Sequence, residues 1–374
     1  VQLAPRNLDY RYALAQLYLQ RGATGAAASE FRTMIKINPA EARPYYQLAL
    51  FKEADMLRYR DRVSIHKDAD IVISFKEFAE KDFAEAKKLL RTAVALDPKM
   101  AEARCRLAAL YYEASLYEEM AEVLEKGIAH HATADLFLFL GLARHQLGRI
   151  GSAMAAYEQA LQMMPAADRE LFYSLQTLLA PDSVTAYENT PDSLKRQYRE
   201  RFWKARDPLL LTTVNERVLE HFGRVAYANL RFSLPEKKIA GWKTDRGKTL
   251  IRFGNHRTSL RLGTYFDSTT IYHNKIATYL IRFNPSVEAW NYGDFTIRFD
   301  DPTMNGNYTF AWGNFESDGR WAFEHQIRKE PERYVFPHGG RRLELPHVMA
   351  QFKSPTSDST LLEVYFGIPA STAP

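Results

Sequence analysis

The spacing of apolar positions divides the chain into a helical half and a half of mixed helices and strands. Up to about residue 180, apolar and small residues recur at helical spacing, as in the Leu-Ala-Ala-Leu-Tyr-Tyr run at 107–112. Further on, β-branched and aromatic residues alternate with polar ones, as they do in 279–283 and 294–299. This pattern predicts an α+β fold, in which an N-terminal helical solenoid precedes a domain of helices and antiparallel strands.

Prolines mark a period of about 34 residues in the helical half. Pro5 and Pro39 lie 34 residues apart, and Pro98 and Pro165 lie 67 residues apart, which is close to two such units. Because Pro cannot continue the hydrogen-bond ladder of a helix, each of these residues ends a unit. The pattern resembles the tetratricopeptide repeat over about residues 1–180. That resemblance implies stacked helical hairpins whose concave face binds a protein partner.

One unit of the repeat is longer than the others. Pro39 and Pro98 are separated by one repeat plus about 25 residues, which predicts an insert within about residues 51–84. The insert contains an apolar strip at 71–75. An elongated helical repeat is the favoured interpretation, and a dedicated partner-docking insert is the alternative.

Four blocks of sequence in the second half carry a more specific resemblance. They lie at 202–208, 224–232, 241–254 and 288–292. In this order they resemble the bacterial GWxTD domain family over about residues 194–310. That family is often fused behind tetratricopeptide repeats and is associated with envelope-type proteins, and the resemblance implies an architecture without a catalytic activity. The residues singled out in these blocks are Trp203, Arg206, Asp207, Tyr227, Asn229, Gly241, Trp242, Thr244, Asp245, Arg246, Gly247, Gly254 and Trp290.

The residue types of the 241–247 motif favour a structural role over chemistry. Gly241 and Gly247 permit tight turns on either side of an indole, and Trp242 is expected to plug the seam between helices and sheet. The Arg-Asp pair at 206–207 is expected to pair with the Asp-Arg pair at 245–246. A ligand or peptide pocket built from Trp242 and the 245–246 pair is the alternative interpretation.

The coarse secondary structure around the motif follows from periodicity and turn signals. Helices are predicted over 194–204 and over about 215–232. Strands are predicted at 249–253, 260–266, 279–283, 294–299, 308–312 and 361–369, with a hairpin turn at 305–306. The last of these resembles the first strand of a further, truncated β-domain. The predicted domains are therefore 1–180, 181–310 and 311–374.

Composition narrows the function without identifying it. The chain has 374 residues and a net charge of +5, and the basic excess lies in the second half, with 27 basic and 22 acidic side chains over 181–374. No run approaches eighteen apolar residues, so no transmembrane segment is expected. Its single cysteine, Cys105, allows no internal disulfide and no Cys-based zinc site. The opening residues resemble the end of a helix, and we expect an upstream part to be missing.

Motif searches for chemistry return nothing specific. The sequence has no Gly-x-Ser-x-Gly, no His-Glu-x-x-His and no phosphate-binding glycine loop, so we predict neither an enzyme nor a cofactor, a metal site or a nucleic-acid partner. The favoured function is a protein-interaction scaffold, a structural or accessory subunit of a bacterial envelope or surface assembly, located in the periplasm or envelope. The alternative is a small-ligand or peptide-binding module at the helix–sheet seam, which needs an open pocket beside Trp242.

Overall fold

The computed structural model describes most of the chain, in two compact units, Val1–Tyr334 and Val335–Pro374. The described residues are 4–60, 63–66, 71–74, 76–209, 212–234, 237–262, 265–273, 276–284, 286–302, 306–313, 318–334, 347–353 and 360–366.

Helices of the first half pack pairwise as hairpins, each helix against the next one in sequence. They are α1 (Leu8–Gln20), α2 (Thr24–Ile37), α3 (Ala42–Arg60), α4 (Lys76–Leu96), α5 (Ala101–Glu113), α6 (Tyr117–His130), α7 (Ala134–Gln146) and α8 (Ile150–Met163).

The long second hairpin explains the predicted insert. Helices α3 and α4 have 19 and 21 residues, whereas the other helices of the four hairpins have 13 or 14. Between α3 and α4 lie two antiparallel strands, β1 (Val63–His66) and β2 (Ile71–Ser74). The apolar strip of the sequence is therefore β2. The unit is both elongated and interrupted by a strand pair.

Small residues allow the paired helices to approach closely. Ala15, Ala27, Ala108 and Ala153 are fully buried. Gly141 of α7 lies against the Tyr157 ring of α8, where an added Cβ would lie 2.5 Å from the ring. These are the positions at which a larger side chain would force neighbouring helices apart.

Further helices of varied length lead from the repeats into the second half. They are α9 (Ala166–Tyr173), α10 (Pro181–Glu188), α11 (Asp192–Lys204), α12 (Glu216–Phe232), a 3-10 helix at Gly241–Lys243, and α13 (Asp245–Phe253). The predicted helices at 194–204 and 215–232 are confirmed as α11 and α12, and Asn215 caps α12 by accepting from the Val218 backbone N–H.

The strand predicted at 249–253 is wrong, because these residues form the second half of α13. Their β-branched and aromatic character favours a strand locally, but Thr244 caps a helix five residues earlier and the helix continues to Phe253.

An antiparallel sheet follows α13, with strand order β3, β6, β7, β8. The strand bounds are β3 (Thr258–Leu262), β4 (Tyr265–His273), β5 (Ile276–Asn284), β6 (Ser286–Asn291), β7 (Thr296–Asp301) and β8 (Thr309–Phe310). Strands β4 and β5 pair with each other as a separate hairpin.

The strand predictions for this region hold with different bounds. The run at 260–266 is divided between β3 and β4, and the run at 308–312 shortens to β8. Predicted strands at 279–283 and 294–299 are confirmed in β5 and β7, and the α+β fold is as predicted. The hairpin turn predicted at 305–306 lies partly outside the described residues.

Two features after residue 310 correct the sequence-based prediction. A helix, α14 (Gly319–Lys329), packs against β7, where only strands were expected. In the second compact unit, β9 (His347–Lys353) and β10 (Thr360–Phe366) form an antiparallel pair. The strand predicted near 361 therefore has a partner that precedes it, and is not the first strand of its unit.

Candidate functional site

Helix α12 lies across the repeat half. At its C-terminal end, the Tyr227 hydroxyl donates to Glu113 Oε1 on α5 at 3.1 Å, and its ring centroid lies 4.6 Å from that of Tyr112. Arg231 places Nε 2.9 Å from the same Glu113 carboxylate and Nη1 4.0 Å from Glu53 on α3. One helix of the second half thus contacts two separate hairpins of the first.

The N-terminal half of α12 continues along the repeats. An added Cβ on Gly223 would lie 2.8 Å from His145 Nδ1 on α7, and Phe222 packs edge-on against Tyr157 of α8. Helices α3, α5 and α7 are the first helices of successive hairpins, and α12 contacts each of them. At these contacts the repeats are covered by the chain's own helix.

His221 anchors the same helix by a buried hydrogen bond. Its Nε2 lies 3.0 Å from the Phe172 carbonyl oxygen, which can only accept, so this nitrogen carries the proton. The side chain is 1% exposed, and burial, helped by the nearby Arg217, lowers the pKa of His221 to about 3. It is therefore a neutral structural histidine at ordinary pH.

The 241–247 motif packs directly onto the last turn of α12. An added Cβ on Gly241 would lie 1.9 Å from the Ala228 carbonyl oxygen, and one on Gly247 would lie 2.0 Å from the Gly241 carbonyl oxygen. Gly241 N donates to Ser233 Oγ, and Trp242 N donates to Asn229 Oδ1. Neither glycine has a positive φ. Gly241 opens a 3-10 turn, in which the Thr244 backbone N–H donates to the Gly241 carbonyl at 3.1 Å, and both glycines serve close backbone approach.

Thr244 and Asp245 start α13 and fix it to the sheet. Thr244 Oγ1 accepts from the Gly247 backbone N–H at 3.1 Å and donates to the Gly241 carbonyl at 2.7 Å. Asp245 Oδ2 accepts from the Phe310 backbone N–H of β8 at 3.0 Å. The Thr244 and Asp245 side chains are thus both hydrogen-bonded to other parts of the chain itself.

Arg246 joins the motif to β6 through a buried polar chain. It is 8% exposed, and its guanidinium lies 4.7 Å from the Phe232 ring centroid and 4.4 Å from that of Tyr308. Nη1 lies 3.2 Å from Glu288 Oε2, and Glu288 Oε1 accepts from the Trp290 indole N–H at 2.8 Å. The charge of Arg246 is therefore paired and enclosed by aromatic rings.

The expected pairing between 206–207 and 245–246 is wrong. Arg206 forms an ion pair with Glu332 at 2.7 Å, and Asp207 Oδ1 accepts from the Leu209 backbone N–H. Glu332 also pairs with the buried Arg217, so one carboxylate serves two guanidinium groups. It follows α14, a helix that the sequence interpretation did not include.

Trp242 packs against the core, but it is not the side chain that closes the seam. It is only partly buried, and the indole enclosed by helices and sheet is that of Trp290, at 1% exposure. Trp203 is buried on α11 beside His221, with ring centroids 5.1 Å apart. Gly254 follows α13 at φ +71°, where an added Cβ would lie 2.8 Å from Arg224 Nη2.

Two buried arginines that the sequence analysis missed bind backbone carbonyl groups. Arg224 Nη1 donates to the carbonyls of Ile251 and Arg333 at 3.1 and 2.9 Å. Arg252 Nη1 donates to those of Leu179 and Pro331 at 3.1 and 2.8 Å, and burial lowers the pKa of Arg252 to about 10. The sequence signal that could have identified these arginines is a charged residue at a position on the apolar stripe of a helix.

Open cavities border α11 on two sides. The first has a volume of about 580 Å³ and is lined by Leu179, Leu194, Tyr198, Arg201, Phe202 and Arg206, among others. The second has a volume of about 500 Å³ and is lined by residues that include Arg169, Tyr173 and Arg199. Trp242 lines neither cavity.

Among the described residues no group of His, Cys, Asp and Glu could hold a metal ion. Within the same part of the chain, no helix is long and apolar enough to cross a membrane.

Comparison with known proteins supports the repeat assignment. Tetratricopeptide-repeat family models match residues 77–138 and 134–166, which together run from α4 to the start of α9. Repeats of this kind are typically non-catalytic interaction modules, which suggests a protein-interaction scaffold. A search of curated proteins by sequence finds no match.

Several solved structures are similar to this chain at low sequence identity. A thermophilic tetratricopeptide-repeat protein from Thermus thermophilus is 21% identical, covers 46% of this chain and 81% of its own, and has a TM-score of 0.34. A fragment of MamA from Desulfovibrio magneticus RS-1 is 16% identical, covers 53% of this chain and 92% of its own, and has a TM-score of 0.32. Superpositions of this size carry no argument about function.

Proposed function

We propose that the protein is a non-catalytic interaction scaffold, in which a tetratricopeptide-type half and a GWxTD-like half are packed into one compact unit. The observation that carries the proposal is the position of α12, which contacts α3, α5 and α7 on one side and the 241–247 motif on the other. The repeats thereby hold the second half in place, and the assembled unit offers its remaining surface to partners.

The polar residues of the motif support a structural role for the GWxTD-like half. Thr244, Asp245 and Arg246 are each bonded to the chain itself, through a helix cap, a strand N–H and a buried carboxylate. Groups that are already paired in this way do not supply the acid, base or nucleophile that catalysis requires. The proposed setting is a bacterial envelope or surface assembly, which the GWxTD resemblance favours.

Site-specific photo-crosslinking in the source organism tests the proposal. A photoreactive phenylalanine analogue replaces exposed residues of each half in turn, namely Tyr10 on α1, which is 57% exposed, and Trp312, which is 92% exposed. The same analogue at the exposed Lys126 on α6 serves as the control. We expect discrete protein adducts from Tyr10 or Trp312, recovered in the envelope fraction.

Absence of adducts at both positions, with a monodisperse monomer in native extracts, would overturn the scaffold proposal. Adducts recovered only in the cytoplasmic fraction would preserve the scaffold role and overturn the envelope setting.

A further inference from the structure

Helix α11 carries a basic surface beside the first cavity, and the motif residues do not account for it. Five basic and two acidic side chains lie on this helix of 13 residues. Both acidic residues are paired within the helix, Asp192 with Lys195 at 2.9 Å and Glu200 with Arg196 at 2.9 Å. The positive charge at the C-terminal end of the helix is therefore left without compensation from α11 itself.

The cations at and just after the C-terminal end of α11 lack a full set of counterions, and two of them, Arg201 and Arg206, line the first cavity. Within the described part of the chain, neither Arg201 nor Lys204 has a carboxylate partner, and both are exposed. Arg206 shares Glu332 with the buried Arg217, so two positive charges meet one negative charge there. This end of α11 is a positively charged rim, where an acidic group would gain from the local field.

The cavity beside this rim is apolar at its base. Leu179 and Phe202 are each 7% exposed and form its floor, whereas Leu194 is 50% exposed at its edge. Arg206 is held over the cavity by stacking on the Phe202 ring, with its guanidinium carbon 3.7 Å from the ring centroid. A volume of about 580 Å³ falls within the range of about 300–1,000 Å³ that is usual for ligand pockets.

We propose that this surface docks an acidic segment of a partner protein, with one large apolar side chain in the cavity and flanking carboxylates on Arg201, Lys204 and Arg206. The inference rests on the proposed scaffold role and specifies the chemistry of one partner. An apolar floor with a cationic rim matches an apolar side chain between carboxylates, because Arg binds carboxylates in a fixed, bidentate geometry.

Fluorescence anisotropy on the full chain tests this proposal. The probe is a short fluorescein-labelled peptide of Asp and Glu residues around a central Leu-Phe pair. Two comparison peptides replace either the acidic residues by Asn and Gln or the Leu-Phe pair by Ser. We expect the first peptide to bind and both comparison peptides to bind at least about tenfold more weakly.

Variants locate the site and exclude a general charge effect. Arg201→Glu and Leu194→Asp are each expected to raise the Kd about tenfold or more without changing the thermal midpoint, since both side chains are exposed. The matched control is Arg32→Glu on α2, which removes an exposed arginine that has no partner among the described residues. That control is expected to leave the Kd unchanged.

Three results would overturn the proposal. The first is that the Ser-substituted peptide binds as tightly as the Leu-Phe peptide. The second is that Arg32→Glu raises the Kd as much as Arg201→Glu, and the third is that no peptide binds. Binding of anionic phosphatidylglycerol vesicles through Arg201, without peptide binding, would assign the surface to a membrane instead. Crosslinked partners at Tyr10 or Trp312 in the absence of peptide binding would leave the scaffold role intact and remove only this inference.

Discussion

Gly241 and Ala228 approach so closely that a Cβ on the glycine would lie 1.9 Å from the alanine carbonyl oxygen. The contact presses the start of the 241–247 motif onto the last turn of α12, and the Ser233 and Asn229 side chains complete it with hydrogen bonds. Because the obstacle is backbone and not a flexible side chain, it cannot move aside without displacing the helix. The motif glycine is thus required by packing between two segments of backbone.

Gly241→Ala is expected to destabilise the protein by about 3 kcal/mol, since the added methyl group must displace α12 or the 3-10 helix. The matched control is Gly25→Ala in α2, where an added Cβ meets nothing within 4 Å. That variant is expected to be neutral or to stabilise by up to about 1 kcal/mol. Urea unfolding measures both, and equal midpoints for the two variants would show that the contact is unimportant.

Arg246→Met is expected to cost about 3–5 kcal/mol, because it leaves Glu288 as a buried charge without its guanidinium partner. Adding Glu288→Gln should recover part of this loss by removing the unpaired charge. Chemical denaturation of Arg246→Met, Glu288→Gln and the double variant gives the coupling free energy between the two side chains. Strictly additive effects would contradict the buried chain from Arg246 to Trp290.

Tyr227→Phe and Glu113→Gln test the contact between α12 and the repeats. The hydroxyl and the carboxylate lie 3.1 Å apart, and Arg231 shares the carboxylate. A double-mutant cycle is expected to give a coupling energy of about 1 kcal/mol. Hydrogen exchange should show α12 and α5 losing protection together in each single variant. Loss of protection in α12 alone would mean that the repeats do not hold this helix.

Stability should fall as the pH is lowered below about 6.5, in part because of His221. Its pKa is about 3 in the folded protein against an ordinary value of 6.5, so the unfolded chain binds more protons between these values. This group therefore contributes full stability above pH 6.5, and the contribution falls by up to about 1.4 kcal/mol per pH unit as the pH decreases toward 3.

His221→Gln isolates that contribution, because the amide can still donate to the Phe172 carbonyl. Unfolding midpoints between pH 7 and 4 should depend less steeply on pH in this variant than in the unmodified protein. The partly buried His145, whose pKa is also lowered by desolvation, remains in both proteins and affects them equally. Identical slopes would show that His221 is not buried as a neutral side chain.

Local sequence patterns predict those helices that follow the 34-residue repeat period or begin with a recognisable N-cap residue. The 34-residue spacing and the small residues such as Ala15 and Ala108 follow from helix packing, so the repeat half could be read directly. Helix α14 has a comparable N-cap signal in its sequence, because Asp318 caps the helix by accepting from the Trp321 backbone N–H.

Local sequence patterns do not predict contacts between residues that are far apart in the chain. The partner of Arg206 is Glu332, 126 residues further along the chain, and no local rule selects it over nearer acidic residues. The run at 249–253 illustrates the opposite error, in which strand propensity is overridden by a helix that starts earlier and is buried on α12. The sequence therefore located the motif but not the partners of its side chains.

The position of α12 has a consequence for dissecting this protein. A cut between α10 and α11 separates the repeats, with their contacts to α12 uncovered, from a fragment in which α12 has lost its support. Neither fragment is expected to be soluble by itself, whereas the two fragments expressed together should associate and reconstitute the parent. The chain is therefore a candidate for fragment complementation, in which reassembly of the two fragments reports directly on the contacts between α12 and the repeats.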